Sequence, residues 1–65
     1  MYIKRYEVCT SKSTYGYFDT FNQAIDCYLI HDKSVIYDCI KRRYVDLYMY
    51  ADMIAAREKV TIWKL

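Results

Sequence analysis

The stretch FDTFNQAIDCYLI, residues 18–30, decides how the rest of the chain is read. Thr20 and Gln23 have the S/T-x-x-E/Q spacing of a capping box, in which the hydroxyl accepts from the backbone N–H three residues on. Asp19 is a competing N-cap one position earlier. After this start signal Phe21, Ala24, Ile25, Tyr28 and Leu29 recur at helical spacing and make one apolar face. Asn22, Gln23 and Asp26 take the polar face, and Ile30 projects to the polar side. The stretch therefore predicts one amphipathic helix around which the other segments must fold. The polar residues His31, Asp32, Lys33 and Ser34 close it without a glycine.

On the N-terminal side, Tyr2 to Cys9 alternates as a strand does. Tyr2, Lys4, Tyr6 and Val8 are taken as its core face, with the Lys4 stem lying along the surface. Thr10 to Thr14 (TSKST) suits a hairpin loop. Tyr15 to Phe18 reads as a second short strand, and Gly16 within it marks a bulge or a close approach of another chain.

On the C-terminal side, Val35 to Ile40 is rich in β-branched and aromatic residues. Val35, Tyr37 and Cys39 form its more uniformly apolar face. Lys41 and Arg42 are read as a turn. Arg43 to Tyr50 alternates again, with Val45, Leu47 and Met49 on one face and Tyr44, Asp46, Tyr48 and Tyr50 on the other. Ala51 to Lys59 uses strong helix formers, and Val60 to Leu65 reads as a last strand or a docking apolar tail. A rival reading, one long helix from Ser34 to Lys59, fits the spacing of Ile36, Ile40, Arg43, Leu47, Ala51 and Ile54. The tight alternation from Tyr44 to Tyr50 favours strands. The expected fold is thus α+β: a small antiparallel sheet in the order β-β-α-β-β, with the central helix packed on one face and a short second helix near the C-terminus.

A chain of 65 residues is expected to form one small α+β domain over residues 1–65, with a core modest enough to favour a partner, either another protein or a second copy. Hydrophobic residues at 55% and charged residues at 28% place it among folded rather than disordered proteins. Ten basic residues against eight acidic ones leave a net charge of +2, which excludes an acidic mimic of DNA and does not compel a nucleic-acid partner. No apolar run is long enough to span a membrane, and MYIKRYEV has no signal-peptide core; a cytoplasmic location is expected. Tyr, Ile, Lys, Asp, Asn and Phe have AT-rich codons, and a short chain with this bias suits the AT-rich genome of a bacteriophage or mobile element.

Cys27 and His31 stand at the spacing of half a zinc site, which Cys9 and Cys39 would have to complete. No second closely spaced pair accompanies them, so no metal and no cofactor is expected. One histidine and no glycine loop for phosphate leave no catalytic set, and the chain is read as non-enzymatic. The expected binding residues are Tyr44, Tyr48 and Tyr50, placed on the sheet face that the helix leaves open, with the basic cluster Lys41, Arg42 and Arg43 beside them. Tyrosines of this kind suit a protein interface, the basis for expecting an accessory or inhibitory protein-binding module. The alternative is stacking on single-stranded nucleic acid, with the basic turn on phosphates.

Overall fold

The computed structural model describes residues 4–63, with side chains described through residue 60. The helix announced by the capping box is there: α1 spans Phe21–Ile30, with Thr20 as N-cap. Both bonds of the box form, Gln23 N–H to Thr20 Oγ1 at 3.2 Å and Thr20 N–H to Gln23 Oε1 at 3.4 Å. Thr20 therefore takes the cap from Asp19, and Phe18 belongs to the preceding strand rather than to the helix. Ala24, Ile25 and Cys27 are buried on the inner side of α1, and Ile30 is exposed as its position on the polar flank requires.

Four antiparallel strands form one sheet in the order β2-β1-β3-β4: β1 Tyr6–Cys9, β2 Thr14–Phe18, β3 Val35–Asp38 and β4 Arg43–Tyr44. This is the expected α+β class, with α1 packed on one face. β1 starts at Tyr6; Lys4 is exposed and outside the ladder, and the expected core position of Tyr2 lies outside the described residues. β1 and β2 meet through a hairpin closed by Thr10, whose N–H donates to the Ser13 carbonyl at 2.7 Å. A bulge interrupts this pair, since Val8 opposes Gly16 while Cys9 opposes Thr14, leaving Tyr15 as the extra residue. Gly16 has a packing reason: a Cβ there would lie 2.9 Å from the Phe18 ring.

The register decides which side of each strand meets α1. Tyr6 pairs with Phe18 and Asp38, and Val8 with Gly16 and Ile36. These residues share the covered face, where Val8, Ile25 and Ile36 are wholly buried and Tyr6, Phe18, Phe21, Tyr28 and Leu29 pack around them. The buried side of β3 is thus Ile36 and Asp38, the reverse of the expected Val35, Tyr37 and Cys39. The physical reason is Arg5. Its Nε and Nη2 donate to Asp38 Oδ2 at 3.2 and 3.0 Å, so the carboxylate enters the covered face already paired.

Two corrections concern the C-terminal third. The strand expected over Arg43–Tyr50 ends after Tyr44. Val45 makes one further sheet-like bond to the Ile36 carbonyl at 2.9 Å; then Asp46 caps a 3-10 turn, Leu47–Tyr50, by accepting from the Tyr48 N–H at 3.1 Å. Leaving the sheet lets Val45 and Leu47 reach the core. The second helix, α2, runs Ala51–Trp63 rather than stopping at Lys59, so residues 60–63 are neither a strand nor a tail; residues 64 and 65 lie outside the described residues. No glycine or proline interrupts it. The rival single helix from Ser34 is excluded by β3 and β4.

Lys33 and Arg42 adopt left-handed backbone angles, with φ of 62° and 57°. An L side chain there costs roughly 1 kcal/mol against glycine. Lys33→Gly and Arg42→Gly are each expected to raise the urea midpoint, by a stability gain of about 0.5–1 kcal/mol. A lower midpoint in both would show that the two side chains, rather than the backbone, hold these turns.

Candidate interaction surface

Of the six residues singled out by the sequence, Lys41, Arg43, Tyr44 and Tyr50 line one cleft, while Arg42 and Tyr48 are not among its lining residues. Lys41 and Arg42 stand exposed in the β3–β4 turn and Arg43 opens β4. The turn is shaped by Asp38, whose Oδ1 accepts from the N–H groups of Ile40 and Lys41 at 3.0 and 3.1 Å. Tyr44 follows on β4, paired with Tyr37 on the open face, and its ring meets Tyr37 edge-on at 5.0 Å. Tyr48 and Tyr50 follow in the 3-10 turn, off the strand. Tyr48 projects from the 3-10 turn with 93% of its surface exposed. Tyr50 turns to the helix side and packs edge-on against Phe21 at 4.8 Å, with Tyr6 on the same ring at 5.4 Å. The expected tyrosine row along one strand is therefore broken, because the chain leaves the ladder after Tyr44.

A different row takes its place, across the strands instead of along one. Tyr17 pairs with Glu7, Glu7 with Tyr37, and Tyr37 with Tyr44. These four residues cross β2, β1, β3 and β4 on the face that α1 leaves open. The two ends are exposed, Tyr17 by 52% and Tyr44 by 64%, while Glu7 and Tyr37 are half-buried by their neighbours. The Glu7 carboxylate is held by the Thr14 hydroxyl at 2.6 Å. Tyr17 and Tyr37 were missed as surface residues. The alternation of TYGYF was available as a signal for Tyr17, but the side on which Tyr37 falls depends on the Arg5–Asp38 pair, which joins residues 33 positions apart.

The bulge turns Tyr15 differently from Tyr17: its ring lies flat on His31 at 3.9 Å, with the planes 7° apart. His31 is thus stacked at the end of α1, and Cys27 is packed in the core. Among the described residues no three His, Cys, Asp or Glu side chains come together at metal-binding spacing. The thiols of Cys9 and Cys39 are pushed up by burial, then by the Glu7 carboxylate, and that of Cys27 by burial alone. All three are free thiols, and a thiol raised in this way is a poor nucleophile at neutral pH. A cleft of ≈ 400 Å³ lies under the basic turn, between Lys41, Arg43 and Tyr44 on one side and Asp46, Met49 and Tyr50 on the other. Its charges alternate in sign, so it does not concentrate one ligand charge. No helix among the described residues is long and apolar enough to cross a membrane.

Comparison with known proteins finds no match to this chain among family models, curated proteins or solved structures.

Proposed function

We infer that the chain is a small non-enzymatic protein-binding module, an accessory or inhibitory product of a phage or mobile element that acts on a host macromolecule. The observation that supports this reading is the row Tyr17, Glu7, Tyr37 and Tyr44 across the open sheet face. Tyrosines supply large, stiff contact area with a polar tip. Tyr37 and Glu7 are braced by neighbours, so little side-chain entropy is lost when a partner covers them. Lys41, Arg42 and Arg43 lie at the Tyr44 end and suit a polar, steering rim.

The alternative ligand is single-stranded nucleic acid, for which Tyr44 beside the basic turn is the favourable feature. Glu7 speaks against it, because a carboxylate in the middle of the aromatic row repels a phosphate backbone.

Affinity capture from host lysate tests the reading when wild type is compared with a Tyr17→Ala/Tyr44→Ala double variant. The expected result is a recovered protein whose capture falls at least about tenfold in the variant, with the circular dichroism unchanged. Capture that is absent, or unaffected by the variant, removes the reading. Salt-sensitive retention of an oligonucleotide, weakened by Arg42→Ala and Arg43→Ala, would move the assignment to nucleic acid.

A further inference from the structure

We propose that the outward side of α2 is a self-association surface, on which a second copy of this chain seats its own α2 antiparallel to the first. The inference does not depend on the open sheet face.

α2 is attached to α1 by one flank only. Ile54 packs on the core, and Arg57 donates from Nε and Nη2 to the two carboxylate oxygens of Asp26 on α1. Among the described α2 side chains, these two alone are half-buried rather than exposed. Met49, in the preceding 3-10 turn, lines the cleft under the basic turn; on α2 itself, away from that flank, Met53, Ala56 and Val60 recur at steps of three and four residues. This is the spacing of a coiled-coil seam, which keeps one narrow apolar stripe facing a second helix. All three are exposed. Among the described residues, Met53, Ala56 and Val60 belong neither to the core cluster nor to the side chains packed around it.

Charge selects a second copy as its occupant. Asp52 and Lys59 border the stripe on the same side, seven residues apart. In an antiparallel pair centred near Ala56, Asp52 of each copy faces Lys59 of the other, so two opposite-charge contacts form by symmetry. The pattern is self-complementary in that orientation. Ala56, the smallest member of the stripe, sits at the two-fold axis, where the helices approach most closely.

Sedimentation equilibrium on the full chain, from micromolar to millimolar concentration, is the first test. Wild type is expected to reach twice the chain mass of 7.9 kDa, and Ala56→Glu, which sets two carboxylates against each other at the axis, to remain monomeric with an unchanged circular dichroism spectrum. A charge exchange provides the second. Asp52→Lys alone and Lys59→Asp alone each bring like charges together and are expected to weaken the dimer by about tenfold. Mixing the two variants pairs lysines with aspartates and is expected to restore a dimer, formed as the heterodimer. Wild type that stays monomeric throughout overturns the proposal. A dimer that survives Ala56→Glu, or two variants that fail to rescue each other, overturns it as well, since the contact would then lie elsewhere on the chain.

Discussion

Ile25→Ala is expected to unfold a large part of the population, with a loss of about 3–4 kcal/mol. A domain of 65 residues has a total stability on the order of 3–10 kcal/mol, so this one truncation consumes much of it. Ile25 is wholly buried at the centre of the contact between α1 and the sheet, against Val8, Ala24, Cys27 and Ile36. Among the described residues it is one of three large side chains, with Val8 and Ile36, that are completely enclosed. The surrounding wall cannot collapse into the gap easily, because Val8 and Ile36 are held in register by the β1–β3 ladder. Urea unfolding followed by circular dichroism at 222 nm, the conventional helix wavelength, measures the loss. Ile25→Val, which removes one methylene, is expected to cost about 1 kcal/mol and calibrates the series. A loss below about 1 kcal/mol for Ile25→Ala would mean that the core is not built around this residue.

Asp38→Ala is expected to cost about 3 kcal/mol. The side chain is buried on the covered face, and it satisfies three separate donors, Arg5, Ile40 and Lys41. Its removal leaves the two N–H groups of the β3–β4 turn without an acceptor and takes away the partner of Arg5. Asp38→Asn keeps the turn acceptor and loses the charge, so it should fall between wild type and alanine. The same carboxylate sets the acid limb of stability. Burial pushes its pKa up; the Arg5 hydrogen bond, the N–H groups of Lys41 and Ile40 and the Arg5 charge outweigh this and hold it below the ordinary 3.8. The folded state therefore binds this proton less readily than the unfolded chain. Its contribution is complete above the unfolded value near pH 3.8 and is lost as the pH falls through the lower folded value. Urea midpoints measured from pH 6 to pH 2, a span that brackets ordinary carboxylate titration, should fall on the acid side in wild type and fall less in Asp38→Asn. Parallel acid limbs for the two proteins would rule out Asp38 as the group responsible.

These two positions differ in how far they could be read in advance. Ile25 is legible because α1 carries its own start signal and its own period. Thr20, Gln23 and the recurrence of Phe21, Ala24, Ile25, Tyr28 and Leu29 are all local, and local signals survive in any tertiary setting. The β1–β2 hairpin and the bulge marked by Gly16 are legible for the same reason. Asp38 is not. A lone aspartate in a strand argues for the solvent side, and only its pairing with Arg5, distant in sequence, reverses that inference. The error then spread to the surface, since turning β3 over moves Tyr37 from the expected core to the open face.

The tyrosines of the C-terminal third follow the same division. Alternation from Arg43 to Tyr50 is a sound strand signal, but a strand also needs a neighbour along its whole length. β3 begins at Val35, and β4 runs antiparallel to it, so past Tyr44 only Ile36 and Val35 remain to pair with; Val45 bonds the Ile36 carbonyl, and the chain then turns away under the Asp46 cap. Tyr44 keeps the face expected of it, whereas Tyr48 and Tyr50 go to solvent and to Phe21. The stripe on α2 was hidden for a related reason: its spacing is meaningful only once Ile54 and Arg57 are known to face α1.

By itself, then, the sequence determined the class of fold, the position and cap of α1, the existence of a second helix and the small size of the core. These depend on periodicity, capping and chain length, which act within a few residues or on the chain as a whole. The tertiary structure alone decided which side of β3 is buried, where β4 ends and which tyrosines lie together. Each of those depends on the pairing of groups far apart in the chain, above all Arg5 with Asp38 and Tyr17 with Glu7, Tyr37 and Tyr44 across the sheet.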